Sequence, residues 1–249
     1  MRLPDICVAC PLIIAHRGAS AEAPENTLAA FRRALELGVD GMELDVQVTR
    51  DGVPVVFHDD TLVRLTGRRG RIAQFTRRAL REFRVRGEAI PPLAEVLALV
   101  GDRAVVQIEL KGGTAVAPVV AAIRRARAGD SVVLASFEPG LVAEARALAP
   151  RIPRMLIHEG AGGRPMLPQE RVCHLAGLLA RLGASGVSLN LRAIPSARFV
   201  AGLKCRGFCV WCWTVNNPSV MLRLARFGAD AILTDDPALL KSTLPAGER

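Results

Sequence analysis

The amino-acid sequence predicts an α/β fold, namely a TIM-type (β/α)8 barrel with a small insertion after the second strand. The first observation behind this is an alternation of short apolar runs with amphipathic stretches along the 249 residues. Eight such runs in a chain of about 250 residues match a closed barrel, and they favour it over an open doubly wound sheet. The second observation is composition, because half of the residues are apolar, few are aromatic and Tyr is absent. A core of Leu, Val, Ile and Ala suits a parallel sheet covered by helices.

The predicted elements follow one another in a regular order. The strand-like runs are Leu12–Ala15, Gly41–Val46, Ala104–Leu110, Ser131–Ala135, Pro153–Ile157, Gly186–Leu189, Phe208–Trp213 and Ala231–Leu233. The stretches with helical spacing are Leu28–Leu37, Leu93–Val100, Val116–Ala126, Leu141–Ala149, Gln169–Leu182, Ala197–Leu203 and Ser219–Phe227. Glycine follows most of these helical stretches before the next strand, which is typical of a helix C-terminus.

Residues 53–92 interrupt the alternation. They begin with a short strand-like run, Val53–Phe57, and continue as a polar stretch rich in arginine. We interpret this segment as an insertion after the second barrel strand that is too small to fold independently. Residues 1–249 are therefore expected to form a single domain.

The formal net charge of +9 comes almost wholly from arginine. A basic protein can bind nucleic acid, an acidic membrane or a small anion. Basic residues are not interleaved with aromatic ones, which argues against nucleic acid as a partner. No apolar run reaches the roughly 20 residues of a membrane span, and Pro11 divides the apolar N-terminus, so we expect a cytoplasmic protein without stable membrane insertion. The sequence carries no indication of oligomeric state.

Two CxxC pairs, Cys7/Cys10 and Cys209/Cys212, raise the question of a zinc site. Cys209 and Cys212 lie in a predicted strand, where an odd spacing places two side chains on opposite faces. We therefore expect small core residues rather than metal ligands.

Acidic residues recur at the ends of the second and third predicted strands. Glu43 and Asp45 are two residues apart, so they share one face of their strand, as do Glu109 and Lys111. Three carboxylates would thus converge at the carboxyl end of the barrel. Oxygen ligands suit Mg²⁺ or Ca²⁺, so the pattern indicates a site for one divalent cation. The alternative is that these acids form buried ion pairs with Arg17 and Lys111 and hold no metal.

Cations and imidazoles occur at the same predicted strand ends. Arg17 and Lys111 flank the acids and could hold a phosphate group, Arg in a bidentate fork and Lys as a point charge. Histidine in general can titrate near neutral pH, which makes His16 and His58 candidates for general acid and base catalysis. His158 follows the fifth predicted strand and is a weaker candidate for the pocket.

Several short segments carry a resemblance to a known family. They are Ala15-His16-Arg17-Gly18, Pro24-Glu25-Asn26-Thr27, Glu43-Leu44-Asp45-Val46, Asp51-Gly52, His58-Asp59, Arg64-Leu65-Thr66-Gly67, Ile90-Pro91-Pro92-Leu93, Ile108-Glu109-Leu110-Lys111, Ser136-Phe137, Trp213-Thr214-Val215-Asn216 and Thr234-Asp235-Asp236-Pro237. In this order, over nearly the whole chain, they resemble the signature of the glycerophosphodiester phosphodiesterase family, in its compact bacterial cytosolic form. Residues 155–195 match the family pattern weakly.

The resemblance implies a TIM-type barrel enzyme that hydrolyses glycerophosphodiesters to glycerol 3-phosphate and an alcohol. It implies ligands of one divalent cation, Mg²⁺ or Ca²⁺, at Glu43, Asp45 and Glu109, phosphate contacts at Arg17 and Lys111, and an acid–base pair of His16 and His58. A glycerol hydroxyl of the substrate is the expected nucleophile, with a cyclic phosphate as intermediate. His58 is favoured as the base and His16 as the acid, although the reverse order stays open.

Substrate contacts beyond the phosphate are less defined by the sequence. Trp213 is expected to form an apolar wall for the glycerol or the leaving alcohol, so the expected partner is a small phosphodiester. An alternative function keeps the same catalytic residues and hydrolyses lysophospholipids or other lipid phosphodiesters.

Overall fold

The computed structural model describes residues 10–160 and 167–245. The strands in this part of the chain are β1 (Leu12–His16), β2 (Gly41–Val48), β3 (Pro54–Val56), β4 (Arg84–Val85), β5 (Glu88–Ala89), β6 (Val105–Leu110), β7 (Val132–Ser136), β8 (Arg154–His158), β9 (Gly186–Asn190), β10 (Cys209–Trp213) and β11 (Ala231–Thr234). The α-helices are α1 (Leu28–Glu36), α2 (Val63–Thr66), α3 (Arg77–Leu80), α4 (Leu93–Val100), α5 (Val116–Arg125), α6 (Pro139–Leu148), α7 (Pro168–Leu182), α8 (Ala197–Lys204), α9 (Pro218–Arg226) and α10 (Pro237–Thr243).

Eight parallel strands form a closed barrel, which confirms the predicted fold class. β1 pairs with β2 on one side and with β11 on the other, and the order between them runs through β6, β7, β8, β9 and β10. Each of these strands lies within two residues of its predicted bounds, because a buried parallel strand is a short apolar run with clear ends. The carboxyl ends of all eight strands therefore meet at one mouth of the barrel.

Two apolar layers lie on either side of the barrel wall. The inner layer fills the barrel and includes Ile14, Met155 and the fully buried Trp211. The larger outer layer lies between the strands and the helices. Along β10, Cys209 packs against the inner layer and Cys212 lies in the outer one, which confirms that they occupy opposite faces. Cys7, from the N-terminal CxxC pair, lies outside the described residues.

Local capping explains several helix boundaries. The Thr27 hydroxyl accepts a hydrogen bond from the backbone N–H of Ala30 at the start of α1. Asp236 caps α10 in the same way, and Pro237 occupies the first turn of that helix. α10 is not among the predicted helical stretches, the last of which ends at Phe227. Within the described ranges, no helix has the length and apolar character needed to cross a membrane.

The segment after β2 folds around a small apolar cluster of its own. β3 pairs antiparallel with the end of β2, and β4 and β5 form a hairpin. The buried residues of the cluster include Phe57, Leu62, Ile72 and Leu80. This packing places α2 and the residues after β3 beside the carboxyl end of β2, at the mouth of the barrel.

Candidate active site

Three buried carboxylates lie together at this mouth. Glu43 and Asp45 project from β2 and Glu109 from β6, with Asp45 and Glu109 in register across the two strands. One oxygen atom from each lies within 4.8 Å of the others. Glu43, Asp45 and Glu109 are 3%, 1% and 8% exposed, so water does little to screen the repulsion between their charges.

The three carboxyl groups respond differently to this crowding. Burial, together with the charges of Asp45 and Glu109, raises the pKa of Glu43 well above its ordinary value. Burial and Asp45 raise the pKa of Glu109 to about 7. Burial acts in the same direction on Asp45, but Arg17 and Lys111 outweigh it and hold the pKa of Asp45 below its ordinary value. Asp45 is therefore the fixed anion of the group, and Glu43 and Glu109 are the two carboxyl groups that take up protons more readily.

The ion pairs of the alternative hypothesis are present, but they do not balance the site. Lys111 Nζ lies 2.7 Å from Glu109 and 3.4 Å from Asp45, and Arg17 Nε lies 3.4 Å from Asp45. Glu43 accepts only the backbone N–H of Arg17 at 3.1 Å, and the nearest ring nitrogen, His16 Nε2, lies 3.9 Å from its carboxylate. Two cations thus face three buried acids, and no lysine or arginine of the described residues forms a salt bridge with Glu43.

The donor set fits a hard divalent cation. All three side chains offer oxygen, which Mg²⁺ and Ca²⁺ prefer. Asp45 Oδ1 is buried and accepts no hydrogen bond from any described residue, so one oxygen of the group has a free lone pair. A cation at this position would supply the positive charge that Glu43 lacks.

His16 ends β1 beside this cluster and is held from behind. Its Nδ1 lies 2.7 Å from Asp235 Oδ1. Asp235 also accepts hydrogen bonds from Ser20 and Asn216. Burial alone would raise the pKa of Asp235, but the hydrogen bonds from His16, Asn216 and Ser20 lower it to about 2. Because Asp235 is a carboxylate, Nδ1 carries the proton, and Nε2 is the ring atom on the Glu43 side.

His58 has a corresponding arrangement after β3. Its Nδ1 lies 2.7 Å from Asp59 Oδ1. Hydrogen bonds from Arg64 and then from His58 lower the pKa of Asp59 to about 2. Asp59 thus fixes Nδ1 as the protonated nitrogen, which leaves Nε2 of His58 without its proton in the neutral ring. The structure brings both predicted histidines to the acidic cluster, each with its own carboxylate.

A cavity of about 90 Å³ opens between these groups. His16, Arg17, Glu43, His58 and Glu109 line its polar side. Its apolar side is formed by Phe137, Ile157, Trp213 and Leu233. The rings of Phe137 and Trp213 meet edge to face with 5.5 Å between centroids, and Trp213 Nε1 donates to the Ser188 carbonyl oxygen. The predicted apolar wall at Trp213 therefore has a second member, Phe137, which is 40% exposed.

The loop after β1 contributes residues that sequence reasoning left without a role. Asn26 donates to Asp45 Oδ2 at 2.8 Å, and Glu25 accepts from Arg17 Nη1 at 2.8 Å. Arg17 and Asn26 both adopt φ of +58°, a left-handed conformation that is strained for arginine. The Arg17 carbonyl oxygen accepts the Asn26 backbone N–H, so a hydrogen bond joins the two left-handed residues. Glu25 and Asn26 belong to the Pro24–Thr27 motif, whose sequence indicates only a family resemblance. No rule of sequence spacing predicts their contacts with Arg17 and with Asp45 of β2.

His158 is not part of this site. It lies at the end of β8 in a separate small pocket with Arg171 and the exposed His174. Burial, followed by the charge of Arg171, lowers the pKa of His158.

Sequence comparison relates the chain to enzymes of one family. The sequence pattern of the glycerophosphoryl diester phosphodiesterase family matches residues 16–239. A glycerophosphodiester phosphodiesterase of Caldanaerobacter subterraneus subsp. tengcongensis is 35% identical over 250 residues, which cover 95% of this chain and 98% of that protein. A glycerophosphodiester phosphodiesterase of Bacillus altitudinis is 32% identical, over 90% of this chain and 94% of that protein.

The fold is also similar to solved structures of phosphodiesterases. A phosphodiesterase of Oleispira antarctica in complex with the product sn-glycerol-3-phosphate superposes with a TM-score of 0.80 at 29% identity, over 94% of this chain and 96% of that one. A glycerophosphodiester phosphodiesterase of Agrobacterium tumefaciens gives a TM-score of 0.80 at 26% identity, over 93% of this chain and 99% of that one.

Proposed function

The chain belongs to the glycerophosphoryl diester phosphodiesterase family, and from this premise we propose that it releases glycerol 3-phosphate from glycerophosphodiesters with one bound divalent cation and two histidines. One observation carries the proposal. A single cavity joins an undercompensated acidic cluster, two imidazoles with ionised partners, and an arginine.

Glu43, Asp45 and Glu109 are the proposed ligands of the cation, which is Mg²⁺ or Ca²⁺. When bound, such an ion neutralises these carboxylates and stabilises negative charge on a phosphoryl oxygen. Asn26 and Lys111 keep two of the ligands in place, because Asn26 donates to Asp45 and Lys111 to Glu109.

Arg17 and Lys111 are the proposed phosphate contacts. Arg17 Nε is buried without a hydrogen-bond partner among the described residues, so it has a donor left for a phosphate oxygen. Trp213 and Phe137 provide the surface for the carbon skeleton of the glycerol or of the leaving alcohol.

The histidines transfer protons in two steps. In the first, His58 Nε2 takes the proton of the free glycerol 2-hydroxyl as its oxygen attacks phosphorus, and protonated His16 donates its Nε2 proton to the departing alcohol. The oxygen–phosphorus bond to the alcohol breaks and a five-membered cyclic phosphate forms. In the second step His16 deprotonates water as the water oxygen attacks and bonds to phosphorus, the P–O bond to the 2-oxygen breaks, and His58 returns its proton to that oxygen. The product is glycerol 3-phosphate.

The cavity favours small substrates over lipid ones. Four apolar side chains cover one side of a space of about 90 Å³, and the opposite side is charged. A lysophospholipid chain would need a longer apolar channel than this. Hydrolysis of lysophospholipids therefore remains the alternative to be compared directly.

A turnover assay with defined metal content tests the proposal. Protein treated with a chelator is expected not to hydrolyse glycerophosphocholine, and added Mg²⁺ or Ca²⁺ should restore release of glycerol 3-phosphate. The same assay with lysophosphatidylcholine is expected to give much lower kcat/KM. The proposal fails if glycerophosphocholine, glycerophosphoethanolamine and glycerophosphoglycerol all give no metal-dependent release.

A further inference from the structure

One arginine of the inserted segment connects the two halves of the site. Arg64, in α2, donates from Nε to Asp59 Oδ2 at 2.6 Å and from Nη2 to Asp59 Oδ1 at 2.7 Å. It also donates from Nη1 and Nη2 to the two oxygens of Glu25, both at 2.9 Å. Arg64 thus makes a bidentate contact with each of two carboxylates.

Each of these carboxylates holds a residue that faces the cavity. Asp59 Oδ1 accepts from His58 Nδ1 as well as from Arg64. Glu25 Oε1 accepts from Arg17 Nη1 as well as from Arg64. The hydrogen-bonded chain His58–Asp59–Arg64–Glu25–Arg17 therefore runs behind the site, from the proposed base to the proposed phosphate contact.

We propose that Arg64 is a positioning residue for the reaction: it holds Asp59 and Glu25 together, and thereby sets the orientation of His58 and Arg17 toward one phosphodiester. This inference rests on the proposed function. Arg64 does not line the cavity, and its side chain is half exposed, so it acts through its two partners and not on the substrate.

Electrostatics support an orienting role over simple surface pairing. Asp59 and Glu25 are each less than a fifth exposed, so without Arg64 they would be two largely buried anions close together. Hydrogen bonds from Arg64 are the largest cause of the lowered pKa of Asp59, and they outweigh burial, which raises it; the pKa falls to about 2. An ionised Asp59 keeps the His58 proton on Nδ1, and a loosened one would allow the ring to turn or to change tautomer.

The geometry requires arginine and not merely a positive charge. Four donor–acceptor contacts from one planar group are compatible with guanidinium, whereas a lysine ammonium offers three protons from one atom. Lysine at this position should therefore restore part of the electrostatic effect and little of the orientation.

The test compares Arg64→Met and Arg64→Lys with a matched control, Arg69→Met. Arg69 is an exposed arginine of the same segment and forms no salt bridge with a described carboxylate. With glycerophosphocholine and saturating Mg²⁺, Arg64→Met should lower kcat on the order of 10- to 100-fold, the effect of a small displacement of catalytic groups. Arg64→Lys should fall between Arg64→Met and the wild type, and Arg69→Met should match the wild type.

Two further readouts separate positioning from loss of structure. Nitrogen-15 NMR of the His58 ring should show Nδ1 protonated in the wild type and a mixture of tautomers in Arg64→Met, with thermal unfolding still cooperative. The double variant Arg64→Met/Asp59→Asn should lose less kcat than the product of the two single losses, because both substitutions act in part through His58. Wild-type kcat and an unchanged His58 spectrum in Arg64→Met, or multiplicative losses in the double variant, would overturn the inference. Absence of turnover in the wild type would instead count against the proposed function.

Discussion

His16 and His58 owe their proposed chemistry to the carboxylate behind each ring. Asp235 and Asp59 stay ionised because hydrogen bonds lower their pKa values to about 2. A permanent anion at Nδ1 fixes the tautomer and stabilises the imidazolium form during proton transfer. Each histidine is thus oriented by a carboxylate at Nδ1. Asp59 is adjacent to His58 in sequence, whereas Asp235 is 219 residues from His16.

Replacing Asp235, the carboxylate partner of His16, tests whether this hydrogen bond matters for catalysis. Asp235→Asn should lower kcat by about 100-fold, because an amide can turn its carbonyl or its NH₂ group toward Nδ1 and no longer fixes the proton. The measurement is steady-state hydrolysis of glycerophosphocholine at saturating Mg²⁺. The conservative control is Asp60→Asn, since Asp60 is exposed and forms no salt bridge among the described residues. Full activity in Asp235→Asn would remove the carboxylate from the mechanism.

The acidic cluster makes a prediction about pH. Glu109 has a folded-state pKa of about 7, above its unfolded value of 4.5, so the folded protein binds more protons than the unfolded chain between these values. The stability of the metal-free protein should therefore fall as pH rises from about 5 to about 8. Bound Mg²⁺ should remove most of this loss, because the cation favours the ionised carboxylates.

Thermal unfolding with and without chelator, at intervals across this pH range, is the measurement. Glu109→Gln is the reference, because it cannot titrate and should reduce the slope in chelator. Equal slopes for Glu109→Gln and the wild type would show that Glu109 does not carry the effect.

At the level of elements, the strands were predictable and the inserted segment was not. A barrel strand such as β7 is a buried apolar run, and its residues alone define it. α2, α3 and the β4–β5 hairpin contain two to four residues per element, so no periodicity can appear. The contact between Arg64 and Glu25 spans 39 residues and exists only because this segment folds against the loop after β1. Sequence therefore located the acids and histidines, whereas their supporting partners required the structure.

The small apolar cluster of this segment should support activity as well as stability. Leu80→Ala removes a fully buried side chain from it and should destabilise the protein by about 2–4 kcal/mol. It should also lower kcat of the remaining folded enzyme, because His58, Asp59 and Arg64 all belong to this segment. Urea unfolding and turnover at low temperature measure the two effects.

Leu203→Ala is the matched control. Leu203 in α8 is equally buried, but it lies in the layer between helices and barrel. It should cost a similar free energy of unfolding and leave kcat unchanged. An equal kcat in both variants would show that the inserted segment does not position the site.

At the level of the whole molecule, barrel closure depends on strands that approach closely. Gly186 begins β9, and a Cβ atom there would lie 2.4 Å from the backbone oxygen of Cys209 in β10. Backbone atoms in a closed sheet cannot move apart independently, because each strand is held by two neighbours. Room for a side chain at position 186 could therefore be made only by shifting several strands of the barrel together.

Gly186→Ala should consequently destabilise the protein by about 1–3 kcal/mol, the usual cost of overpacking. Gly129→Ala is the comparison, because a Cβ atom at Gly129 meets nothing within 4 Å. Its effect should stay within about 0.5 kcal/mol, as for most surface substitutions. Urea unfolding measures both, and a neutral Gly186→Ala would mean that β9 and β10 can separate without loss.

The hydrogen bond between His16 and Asp235 also bears on the order in which the protein is made. His16 ends the first barrel strand, β1, and is synthesised 219 residues before Asp235, which follows the last barrel strand, β11. The His16 ring can form its hydrogen bond to Asp235 only after residue 235 has been synthesised. β1 likewise pairs with β11 only after that strand has been made. A nascent chain that has not reached β11 consequently holds the two proposed metal ligands of β2 and a histidine without its orienting carboxylate. The proposed active site can therefore be complete only after β11 and Asp235 have been synthesised.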